Sequence, residues 1–223
     1  GYNLAHELIN QMSRKESFTN KKIELIGISG NRHSVPALER NVGLQDAVRK
    51  HDVLLRQLVF GHWNPDTARA KATGLLERYP NVSAIWTASD SLALGALKGA
   101  VEAGKKPGKN ILIGGVDWFP NALKEIEKGN IAASAGGHFI EGALALLMIY
   151  DYHHGVDFVA NGTAQFKTVL KLITQKNIAY YKKHLENVNW NDIDFTKYSV
   201  SVNPSLSKRI DLDDLFMQLD SGR

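Results

Sequence analysis

The chain has no cysteine among its 223 residues, which excludes a disulfide scaffold and any cysteine-based metal or redox centre. No apolar run reaches the ~18 residues that a membrane-spanning helix needs. The longest, Ala143 to Tyr150, has the length of a buried helix segment. Glycine is not spaced for phosphate binding: Gly27-Ile28-Ser29-Gly30 lacks the Gly-x-Gly-x-x-Gly fingerprint, and no Lys-Ser/Thr closes a phosphate loop. The eight histidines are scattered without metal-ligand spacing. Even the His153-His154 pair reads as positive charge at a helix end before Gly155, where it complements the dipole. Neither sign of charge dominates. The 27 Lys and Arg residues are mixed with 23 acids for a net charge of +4, so no basic stripe marks a nucleic-acid surface. No base–nucleophile pair stands out, which argues against an enzyme.

What the chain does have is a core-forming composition, 43% hydrophobic, and a length suited to one large domain or two small ones. Helix and strand patterns alternate. A short helix over Leu4–Met12 leads to a strand at Ile23–Ile28, a loop from Ser29 to Pro36, and a helix from Ala37 to Lys50. A strand follows at Val53–Phe60, then a helix opened by Asn64-Pro65-Asp66 and ended at Tyr79-Pro80. Next come strand Ala84–Thr87, helix Ser91–Ala103 closed by Gly104, strand Ile111–Val116 and helix Asn121–Lys128. Strand Ile131–Ala135 and helix Ile140–His153 complete the series. Such alternation predicts an α/β fold, a doubly wound parallel sheet with helices on both faces. From Asn187 onward the pattern breaks, and irregular, packed-on structure is expected.

Two strand ends finish in an acid. Ser83-Ala84-Ile85-Trp86-Thr87-Ala88-Ser89-Asp90 runs into Ser91-Leu92-Ala93-Leu94-Gly95-Ala96-Leu97, and Asn110-Ile111-Leu112-Ile113-Gly114-Gly115-Val116-Asp117 runs into Trp118-Phe119-Pro120. In an open α/β sheet, ligands bind outside the carboxyl ends of the strands, so Asp90 and Asp117 are expected at one crevice. Each acid also has a plainer reading. Asp90 would serve as a helix N-cap, and Asp117 as a turn acid. A pair of acids also invites a glycosidase reading, with one as general acid and the other as base or nucleophile, but no third signal supports it.

These runs resemble the sugar-type periplasmic binding proteins of ABC transporters (type I fold), whose ribose-, galactose- and autoinducer-binding members carry a similar acid, small, Leu-Ala-Leu-Gly-Ala-Leu run and a Gly-x-Asp strand end. The resemblance covers roughly Tyr2 to Tyr181. It implies a ligand site in which Arg40, within Ala37-Leu38-Glu39-Arg40-Asn41-Val42-Gly43, donates paired hydrogen bonds to sugar hydroxyls or the ring oxygen. It implies that Trp63, within Gly61-His62-Trp63-Asn64-Pro65-Asp66, stacks on the apolar face of the sugar. Asp90 and Asp117 would accept hydroxyl protons. Arg40 also reads as one half of a surface ion pair, and Trp63 as core packing. Where relatives often carry Gln or Asn, this chain has Gly137 with His138 beside it. From the loop Gly30–Pro36, longer than in the ribose binder, Asn31, Arg32 and His33 would reach the cleft. No metal ligand and no cofactor is implied.

The resemblance further implies that residues 1–138 form the ligand-binding C-terminal lobe and that 139–160 hold a helix belonging to an N-terminal lobe. That lobe's first half would precede Gly1, so the chain is expected to be a truncated piece that binds sugar weakly or not at all. Residues 161–223 would hold a crossover strand, a helix and a tail. Closure would hinge near Gly1, Gly136-Gly137 and Gly162-Thr163. The partners implied are a small sugar-like ligand, in the periplasm, and a membrane permease. Because the tail Asn187–Phe195 and onward resembles the extension of autoinducer receptors, a sensor kinase is the alternative; a strap packed across both lobes is the structural one. The apolar helix 140–153 would meet the other lobe or a second copy. A repressor effector domain is a further alternative that the long tail disfavours.

Overall fold

A computed structural model of the protein describes residues 1–14, 22–158, 168–186, 188–206 and 211–221. Its centre is a six-stranded sheet in the order β2-β1-β3-β4-β5-β6. The strands are β1 (Glu24–Ser29), β2 (Leu54–Phe60), β3 (Ala84–Thr87), β4 (Leu112–Val116), β5 (Ala133–Gly136) and β6 (Lys171–Thr174). The pairs β1–β2, β1–β3, β3–β4 and β4–β5 are all parallel. The strand order reverses at β1, where β2 lies on one side and β3 on the other, so a crevice opens at the carboxyl ends there.

Helices α1 (Tyr2–Arg14), α2 (Val35–His51), α3 (Pro65–Arg78), α4 (Asp90–Glu102) and α5 (Pro120–Glu127) connect and cover these strands. Two neighbouring glycines of β4 show that both faces are covered. A Cβ built on Gly114 would lie 2.7 Å from a Leu4 methyl of α1, whereas one on Gly115 would lie 3.0 Å from Ala93 Cβ of α4. Successive residues of a strand point to opposite faces, so α1 and α4 flank the sheet on opposite sides. α2 packs beside α1, and α3 beside α4. The core is apolar and closed: Leu4, Leu8, Met12, Ile26, Ile85, Trp86, Leu92 and Ile113 are essentially inaccessible.

Local signals explain the element ends. Pro36, Pro65 and Pro120 stand in the first turns of α2, α3 and α5, where a missing N–H costs nothing. Asn64 caps α3 by accepting from Thr67 N at 2.8 Å. Gly104 takes a left-handed φ of 73° just beyond α4, as a residue past a helix C-cap does. Observed bounds differ from those read off the sequence by at most two residues, because caps and first turns are fixed by side-chain contacts rather than by periodicity.

The chain divides into two compact units, Gly1–Gly136 with Leu172–Ile178, and Gly137–Lys171 with Ala179–Arg223. The second contains α6 (Ile140–His153), most of α7 (Ile178–Leu185) and α8 (Leu212–Ser221). In α6, Leu146 and Tyr152 are 70% and 65% exposed, so this apolar helix keeps a bare face. The irregular tail expected after Asn187 needs correction. Short 3-10 turns at Trp190–Asp192 and Phe195–Tyr198 are followed by a true helix, α8. Its stripe Leu212, Leu215, Phe216, Leu219 is buried. Asp151 at the end of α6 anchors the tail by accepting from Val200 N (2.9 Å), Ser201 N (3.1 Å), Ser201 Oγ (2.8 Å) and the Ser199 hydroxyl. Together these contacts hold the Asp151 carboxyl below the usual carboxylate range despite its burial. Of the three expected hinge positions, Gly162-Thr163 lies outside the described residues.

Candidate functional site

The site is built on the carboxyl ends of β1 to β4. Arg40 reaches from the second turn of α2 and donates from Nη1 to the Ala88 carbonyl, just past β3, at 2.6 Å. The same nitrogen lies 3.5 Å from Asp117 Oδ1, at the end of β4. Both side chains are largely shielded, 18% and 19% exposed. Screening by water is therefore partial, and the pair is stronger than an open surface ion pair.

Trp63 closes a third side. His62 and Trp63 take consecutive left-handed φ values of 55° and 57°, which swings the chain sharply between β2 and α3. The indole then lies against Gly30: a Cβ there would come within 2.0 Å of Cζ2, so only glycine admits the ring. The Arg40 guanidinium stands 5.9 Å from the indole centroid, within cation–π range. At the rim, Asn31 and His62 are joined by a 3.2 Å hydrogen bond, and Arg32 lies over the Phe60 ring at 5.0 Å. Two buried polar atoms at this end of the sheet, Ser29 Oγ and Asn41 Oδ1, have no hydrogen-bond partner.

The structure thus brings Arg40, Trp63 and Asp117 together and puts Asn31 at the edge. Asp90 sits elsewhere. Its residue is fully buried, and both oxygens are engaged. Ser134 Oγ donates to them at 2.7 and 2.9 Å, and Phe119 N donates to Oδ2 at 2.8 Å. Nor is Asp90 the helix cap: Ser89 holds that place and accepts from Leu92 N. Asp90 lies beneath the turn that carries Asp117 and faces the protein. Burial, with a smaller contribution from the Asp117 charge, pushes its pKa up to about 7 against the hydrogen bonds that favour ionisation. His138 belongs to the second unit, where it is half-buried.

Ser134, Trp118 and Gly115 join the site although the sequence reading passed over them. Trp118 donates from Nε1 to the Ser134 carbonyl at 3.1 Å, and its N–H points to Ser134 Oγ at 3.4 Å. A signal was available: paired glycines inside a strand mark a close approach, and Gly115 is where Asp90 makes it. Among the described residues no cluster of three metal-ligating side chains occurs.

Comparison with known proteins matches residues 1–155 to the model of the periplasmic binding protein domain. The D-allose-binding periplasmic protein of Escherichia coli K12 is 31% identical over 57% of this chain and 41% of its own length. The ribose import binding protein RbsB of the same organism is 34% identical over 51% of this chain and 36% of its own. The chain therefore spans less than half the length of these relatives. Among solved structures, a periplasmic sugar-binding protein from Pseudomonas fluorescens superposes with a TM-score of 0.84 at 32% identity, covering 97% of this chain and 66% of that one.

Proposed function

Because the chain belongs to the periplasmic binding protein family, a family of binding proteins rather than enzymes, we propose that it contributes one wall of a periplasmic receptor for a sugar or sugar-like polyol, which passes its ligand to an ABC permease. The observation that carries this is the convergence of Arg40, Asp117 and Trp63 at one sheet edge. A planar guanidinium supplies directed donors, a carboxylate accepts from hydroxyls, and an indole offers a flat face to C–H bonds. That is the chemistry of a sugar ring. The names of relatives that bind D-allose and ribose support the same class. No described helix is long and apolar enough to cross a membrane.

The tail is tied down within the second unit. Asp151 takes four hydrogen bonds from residues 199–201, and Asp220 of α8 pairs with Lys183 and the buried His184 of α7 at 2.7 and 3.0 Å.

The test is a titration of the chain with D-ribose, D-allose and myo-inositol, followed by side-chain resonances of Arg40 and Trp63. Binding near the millimolar range, worth about 4 kcal/mol, is expected to shift both resonances and to vanish in Trp63→Ala. A bound sugar that leaves both resonances unmoved would overturn the proposal.

A further inference from the structure

Beneath Asp117 the backbone is under strain. Asp117 has φ 118° and Trp118 has φ 62°, a left-handed pair that neither an aspartate nor a tryptophan adopts readily. Such a turn persists only where the surroundings hold it. Four contacts do so: Asp117 N donates to the Ala135 carbonyl at 2.8 Å, Trp118 N and Nε1 donate to Ser134, and Phe119 N donates to Asp90. Ser134 in turn donates its hydroxyl to Asp90. The Asp90 carboxylate is therefore where two of the holding chains meet, one through the Phe119 amide and one through Ser134.

Gly115 and Gly136 make room for this arrangement. A Cβ on Gly115 would fall 2.2 Å from Asp90 Oδ1, and one on Gly136 would fall 2.4 Å from the Trp118 ring. The carboxylate and the indole are thus packed directly against strand backbone, on β4 and β5, and have no alternative place to go.

We propose that Asp90 is a positioning residue rather than a ligand contact: through Ser134 and the Phe119 amide it fixes the strained turn that presents the Asp117 carboxylate to Arg40 and to a bound polyol. This rests on the receptor reading above but concerns a different link, the geometry of the free site. Removing the anchor frees the turn to relax, which withdraws Asp117 from Arg40 without touching either residue. Asparagine at the same place retains an oxygen for the Phe119 N–H and keeps the turn.

The experiment compares the wild-type 223-residue chain with Asp90→Ala, Asp90→Asn and Ser134→Ala. Two readouts are taken: the Arg40 side-chain and Trp118 indole N–H resonances without ligand, and the dissociation constant for D-ribose and D-allose. In Asp90→Ala the Arg40 and Trp118 resonances are expected to move, and sugar affinity to fall about tenfold, the worth of one charge-assisted hydrogen bond. Asp90→Asn restores both. Ser134→Ala, the milder change, moves the Trp118 resonance most and keeps the fold if Asp90→Ala does not. Unchanged Arg40 and Trp118 resonances in Asp90→Ala and Ser134→Ala would overturn the proposal. If the wild-type chain binds neither sugar, as a single wall of the receptor can, the ligand-free resonances still decide the role of Asp90.

Discussion

The Asp90 carboxylate makes the stability of this protein depend on pH in an unusual direction. It has no access to solvent, and its three hydrogen bonds do not offset the loss of hydration, so its pKa rises from an ordinary 3.8 to about 7. The unfolded chain loses that proton near pH 4, whereas the folded chain keeps it until near neutrality. Between those values the folded state binds more protons, so stability falls as pH rises, by about 1.4 kcal/mol per pH unit. Most shifted acids work the other way. Glu24 is held low by its hydrogen bond to Arg56, and Glu125 by Asn130 and Lys128; their contributions grow as pH rises and are complete lower on the scale. Asp90→Asn removes only the one term. Urea unfolding followed by tryptophan fluorescence, at pH 5.0 and 6.5, should show wild type losing about 2 kcal/mol more than the variant across that interval. Parallel curves for the two proteins would refute the argument, because they would mean that the buried carboxyl is ionised throughout at no cost.

Three further outcomes follow from single contacts. Gly115→Ala places a methyl group 2.2 Å from Asp90 Oδ1, between a strand and a helix that cannot part, and should cost about 1–3 kcal/mol in the same unfolding assay. His51 pairs with His6 at 2.7 Å across α2 and α1, and its pKa is lowered by burial and by the charges of His6 and Lys50. The stability it contributes is present above the ordinary histidine value and is lost as pH falls through the mid-sixes and below, so His51→Gln should flatten the melting-temperature profile between pH 7 and 5. Asp151→Ala strips the acceptor from the Val200 and Ser201 amides and two serine hydroxyls. It should cost about 2 kcal/mol or more in the second unit and speed limited proteolysis within residues 188–206, while the Trp63 environment stays unchanged.

The sheet and its flanking helices were legible because their signals are local. Alternation of short apolar runs with helical periods needs no knowledge of what lies across the molecule, and prolines at Pro36, Pro65 and Pro120 mark helix starts wherever they stand. Helix α8 was equally visible in principle through Leu212, Leu215, Phe216 and Leu219, but with no strand before it the α/β rhythm gave no reason to look for it. Asp117 could be brought to this edge by topology, and Arg40 and Trp63 by the family resemblance. Depth could not. Asp90 and Asp117 both follow a strand and precede a helix or turn, yet one is inaccessible and the other faces the crevice, because Ser134 and the Phe119 amide, 44 and 29 residues away, close over the first.

That difference in depth has a physical meaning at this site. A buried carboxylate that resists ionisation and a tryptophan and an aspartate at positive φ are each unfavourable, and each could be relieved by one substitution: asparagine at Asp90, glycine at Asp117. Here the two costs fall on one turn and support one another, since the carboxylate holds the strained backbone and the strained backbone seals the carboxylate. Strain gathered in this way is what a binding site needs when an acid must wait in a fixed place beside a cation without collapsing onto it. The 3.5 Å between Arg40 and Asp117 is the separation this turn sets, near enough to orient both groups.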